Sequence, residues 1–75
     1  MSDRSNLKKE AEMLEQEILF LEEKRSRSQA SIMTAVLDNL PPDDADLQFF
    51  RMYTAEIDVK RDKMREINAK LYPDK

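Results

Sequence analysis

Three groups of side chains in this sequence have the types and spacing to do chemistry. Asp43, Asp44 and Asp46 follow Pro41-Pro42 and offer oxygen ligands to a cation. Lys60, Arg61, Lys63 and Arg65 form a basic run that could lie along a phosphate backbone. Ser26 and Ser28 each follow an arginine in Lys24-Arg25-Ser26-Arg27-Ser28, the arrangement a basophilic kinase reads. A phosphate there adds about −2 charges and would pair with Arg61 or repel Glu22.

The residue types that are missing narrow these options. The chain has no His, no Cys and no Gly. Nucleophilic triads, the common zinc sites and Gly-rich phosphate cradles are therefore unsupported, and the reading is of a non-enzyme with no cofactor and no metal. A calcium loop needs more ligands than the acidic trio and a turn that Gly permits, so helix capping is the better role for Asp43. Asp58, Asp62 and Glu66 interleave with the basic run, and the net charge is −3, which disfavours nucleic acid as the main partner. A small nucleic-acid-binding regulator that concentrates Lys60, Arg61, Lys63 and Arg65 by dimerising is the alternative reading.

The elements that must position these groups follow from one break. Pro41 and Pro42 lack backbone donors, clash with a preceding helical turn and push Leu40 out of helical geometry. The chain thus reads as a single domain, 1–75, with helix one over about 5–39, a turn at 40–43 and helix two over about 44–72, where Pro73 stops it. Ser5 or Asn6 is the expected cap of helix one, with residues 1–4 frayed. Leu7, Ala11, Leu14, Ile18 and Leu21 step by four and three, a heptad seam. Arg25 and Ser28 interrupt it before Ile32 and Ala35 resume it. In helix two, Phe50, Ile57, Met64 and Leu71 recur every seven residues. A connection this short makes the helices antiparallel neighbours, so the fold class is all-α, a helical coiled-coil hairpin. Folding about Asp43 sets Val36 opposite Phe50, Leu14 near Leu71, Ile18 opposite Asn68 and Arg25 opposite Arg61. Acidic stretches of one helix then run beside basic stretches of the other. One long helix in an extended coiled coil, kinked at the prolines, is a further architecture.

A hairpin buries one stripe per helix, and this chain carries more apolar residues than two stripes hold. Met33, Val36, Leu37, Phe49, Phe50, Met52, Tyr53 and Ile57 crowd the half nearest the turn, pointing in several directions. Met33, Leu37, Phe49 and Met52 are expected to stay exposed, and Leu19 and Phe20 make a second overfull spot. A chain of 75 residues without disulfide or metal buries a thin core. The expected partner is therefore a second copy, giving a homodimeric four-helix bundle, or a helical segment of another protein docked in the same place. The function expected is that of a protein-protein interaction, oligomerisation or adaptor module. No apolar run reaches membrane-spanning length and the opening residues are polar, so an intracellular setting, cytoplasmic or nuclear, is expected without a membrane partner.

Overall fold

A computed structural model describes residues 2–73, of which Ser2 is placed by its backbone alone. The expected domain 1–75 thus includes Met1, Asp74 and Lys75, which lie outside the described residues. Two helices, α1 (Ser2–Leu37) and α2 (Asp44–Leu71), pack along each other as an antiparallel hairpin. No strand occurs among the described residues. The molecule measures 57 × 19 × 15 Å. One unbroken helix of this chain would exceed ~100 Å, so the extended alternative is not the structure adopted.

Helix α1 ends earlier than the prolines require. The Leu40 amide donates to the Ala35 carbonyl at 2.8 Å and the Asn39 amide to Val36 at 3.1 Å. This crossed pair of bonds is a Schellman closure, and it needs a left-handed residue at Asn39, where φ is 59°. Glycine is usual there. In a chain with none, asparagine is the next best choice, because its short polar side chain tolerates that region. Helix α2 starts as its sequence implies. Asp43 is extended, with φ −65° and ψ 133°, and its carboxylate Oδ1 accepts from the Ala45 amide at 3.1 Å.

The hydrophobic core runs from the middle of the hairpin to the end far from this connection. Leu14, Ile67 and Leu71 form one buried cluster, with Leu7, Ala11 and Met64 against it. Ile18, Leu21 and Ile57 form the next, with Tyr53 and Met64 against it. The proximity of Leu14 to Leu71 and the meeting of acidic and basic stretches across the hairpin agree with the sequence register, but two of its pairings differ. Ile18 packs with Ile57 instead of facing Asn68. Arg61 pairs with Glu22 instead of lying opposite Arg25. Glu22 is nearly one turn further from the connection. The reason is the early end of α1: the chain reverses across 38–43, not about Asp43 alone, and each level of α2 meets an earlier part of α1.

The start of α1 also departs from expectation. Residues 2–4 are helical, not frayed. Arg4 donates from Nη1 to the Leu71 carbonyl at 2.9 Å, and its guanidinium lies 5.8 Å from the centre of the Tyr72 ring. This holds the open end of the hairpin together, with a cation at the negative end of the α2 dipole.

Candidate interaction surface

Consecutive residues on a helix differ by ~100° in direction, while those three, four or seven apart share a face. Lys60 and Arg61 therefore leave α2 on opposite sides of the packing seam. Each meets a glutamate of α1: Lys60 Nζ lies 3.2 Å from Glu17 Oε1, and Arg61 is hydrogen-bonded to Glu22. These two pairs define the two flanks of the hairpin.

On the Lys60–Glu17 flank, α1 carries Met13, Phe20 and Lys24, which share the direction of Glu17. Helix α2 carries Phe49, Tyr53 and Glu56, which share that of Lys60. Two contacts belong to this flank: Phe49 and Tyr53 stack with ring centres 6.1 Å apart, and the Lys24 ammonium sits 4.8 Å from the centre of the Phe20 ring. On the Arg61–Glu22 flank, α1 carries Leu19, Met33 and Val36. Leu37 points away from the seam on the back of α1.

Among the described residues, six of the eleven large exposed apolar side chains lie toward the connection, and Met13 and Tyr72 are exposed at the open end. Leu37 is 76% exposed, Val36 54%, Met33 52%, Phe49 46% and Met52 45%. Leu40, Leu19, Phe20 and Val59 are also exposed. The remaining residues of the sequence-derived surface sit deeper. Phe50 is half-buried, and Tyr53 is half-buried against the Ile18–Leu21–Ile57 cluster. Ile57 belongs to the interior: it is 0% exposed, because its seven-residue row faces α1. A surface of this chain cannot include it. Phe20, Val59 and Leu40 stood outside that sequence-derived surface. The signal for Phe20 was the crowding of Ile18, Leu19, Phe20 and Leu21, whereas Val59, isolated among charged residues, gave none.

The basic run is largely engaged by the chain itself. Lys60 pairs with Glu17, Arg61 with Glu22, and Arg65 with Asp62 at 2.6 Å. Among the described residues only Lys63 of the four makes no ion pair within the chain. Ser26 is exposed, but Ser28 is buried, since it occupies a seam position. A kinase would reach Ser26 and not Ser28. Thr54, in the polar interruption of the α2 seam, keeps its hydroxyl buried with no hydrogen-bond partner.

The acidic trio divides its roles: Asp43 caps α2, and Asp44 and Asp46 lie in its first turn, at the positive end of the dipole. Among the described residues no three carboxylates converge as a metal would require. Two shallow depressions open to solvent, one lined by Arg65, Asn68, Ala69, Tyr72 and Pro73 and the other by Ala55, Glu56, Val59 and Lys60. Among the described residues no helix is long and apolar enough to cross a membrane. No protein-family model matches the chain, and no curated protein or solved structure matches it either.

Proposed function

We propose that this chain is an intracellular, non-enzymatic oligomerisation or adaptor module that self-associates through the apolar surface toward its connection. One observation carries the reading. Among the described residues the six buried apolar side chains, Leu14, Ile18, Leu21, Ile57, Ile67 and Leu71, lie from the middle of the hairpin to its open end, while large apolar residues toward the connection stay in water. Contiguous exposed apolar surface on a small protein is characteristic of an interface. A second copy covers it at no cost in new chemistry and supplies the burial that a lone two-helix core lacks.

The nucleic-acid alternative has less support, because three of the four basic residues it needs are already paired with carboxylates of the same chain. Light scattering across a concentration series tests the proposal. A mass of twice 8.9 kDa that persists on dilution into the low micromolar range is expected. A soluble species of 8.9 kDa at every concentration would overturn self-association. The surface would then belong to a helix of another protein.

A further inference from the structure

Apart from Leu37 on the back of α1, the exposed apolar residues of the helices fall on two flanks, and a second copy stacked face to face can cover only one. We infer that it covers the Lys60–Glu17 flank, in parallel orientation, so that Phe20 of each hairpin enters the groove lined by Ala55, Glu56, Val59 and Lys60 of the other. This inference rests on the self-association proposed above and adds which face is used and which way the copies run.

Shape is the first argument. This depression on the surface of α2 is shallow and mostly apolar, and Glu56, Val59 and Lys60 place it on the side of α2 that carries this flank. Phe20 is exposed on the matching flank of α1. The Glu17–Lys60 contact sets the two helices' relative height and places Phe20 within about a turn of Val59. Both residues lie toward the outer edge of their helices, so within one hairpin Phe20 cannot fill its own groove. A two-fold axis parallel to the helices sets α1 of one copy above α2 of the other at the same height, and brings the ring over it.

Charge is the second, independent argument. On this flank α1 carries Glu10, Glu17 and Lys24, and within about a turn of each in height α2 carries Lys70, Lys63 and Glu56. The signs oppose at every level. Because the parallel axis exchanges the helices, the flank is complementary to itself: Glu17 meets Lys63 of the second copy, and Lys24 meets its Glu56. An antiparallel stack, with its axis across the helices, would set Glu17 against Glu17 when centred there. Among the described residues Glu10, Glu56, Lys63 and Lys70 make no ion pair within the chain, so these charges are available. The Arg61–Glu22 flank is the poorer candidate. Its apolar residues on α1 are separated, with Leu19 far from Met33 and Val36.

Engineered cysteines test this directly, since the natural chain has none. Full-length chains carrying Phe20→Cys are mixed with chains carrying Val59→Cys and oxidised. The mixed disulfide dimer is expected to dominate over both like-with-like products. In parallel, light scattering follows Phe20→Asp, Lys63→Glu and Leu19→Asp, with circular dichroism confirming that each remains helical. Phe20→Asp should abolish the dimer, and Lys63→Glu should raise its dissociation constant on the order of tenfold through the repulsion it introduces. Leu19→Asp, exposed on the other flank, should leave the dimer intact. A dimer that resists Phe20→Asp, dissolves with Leu19→Asp, or gives no mixed disulfide overturns this arrangement and leaves self-association standing. A wild-type monomer overturns both. Should Phe20→Asp unfold, Val59→Asp on the other side of the same contact decides in its place.

Discussion

Arg4 and Leu71 are joined across the open end of the hairpin: Arg4 Nη1 donates to the Leu71 carbonyl at 2.9 Å. The same guanidinium lies by the Tyr72 ring, so one side chain of the first turn of α1 ties down the end of α2. The bond is partly exposed, and its contribution is accordingly modest, about 0.5–1 kcal/mol. Arg4→Ala should lower global stability by no more than that. Its larger effect is local. Amide exchange at Leu71 and Tyr72 should accelerate well beyond that at Ile57, and equal changes at both ends would show that Arg4 does not hold the end shut.

The left-handed Asn39 makes a second prediction. An L-residue with a Cβ is disfavoured there by roughly 1–2 kcal/mol, which asparagine partly relieves and glycine removes. Asn39→Gly should raise stability by about 0.5 kcal/mol in urea denaturation, the gain being reduced by glycine's greater freedom when unfolded. Asn39→Val should lose at least about 1 kcal/mol. Identical midpoints for the two variants would mean that the closure of α1 does not depend on this residue's conformation.

Asp43 separates capping from cation binding. If its role is the bond to the Ala45 amide, Asp43→Ala should cost about 1 kcal/mol, and Asp43→Asn, which keeps an acceptor, should recover most of the loss. Thermal melts of the wild-type chain should be the same with and without millimolar calcium. A calcium-dependent rise in melting temperature that Asp43→Ala abolishes would restore the cation reading.

Two seam positions in α2 should respond in opposite directions. Ile57 is fully enclosed, and Ile57→Ala should cost about 2–5 kcal/mol, enough to unfold a hairpin this small. Thr54 hides a hydroxyl with no partner, so Thr54→Val should gain roughly 1 kcal/mol by removing an unmet hydrogen bond at similar volume. A destabilised Thr54→Val would point to an ordered water on that hydroxyl.

The charge pairs call for a weaker prediction. All four are exposed or partly exposed on the hairpin surface, where each contributes about 0–1 kcal/mol. Raising salt from 0.05 to about 1 M should therefore move the unfolding midpoint little, whereas dimerisation through the Glu17 flank should weaken over the same range. Should unfolding follow salt as steeply as association does, the pairs are structural supports and not marks of register.

What could be read from residue order alone was whatever depends on a few neighbours. Two adjacent prolines rule out a continuous helix, an aspartate before an amide-rich first turn caps the next one, and a four-three spacing of apolar residues makes a seam. These local rules specify two antiparallel helices and mark the half near the connection as overfull. Register was beyond their reach. It depends on where the chain actually reverses, and the left-handed Asn39 ends α1 before the prolines force it to, which moves Arg61 from Arg25 to Glu22. That shift carries every later assignment with it. Ile57 goes inside although its sequence neighbours Phe49 and Met52 stay out, and Ser28 is buried while Ser26 is not. The exposed apolar set, continuous when written along the chain, divides between two flanks because consecutive helical residues point ~100° apart. Only the packed pair of helices, by fixing which direction is inward at each level, decides which of those residues remain exposed.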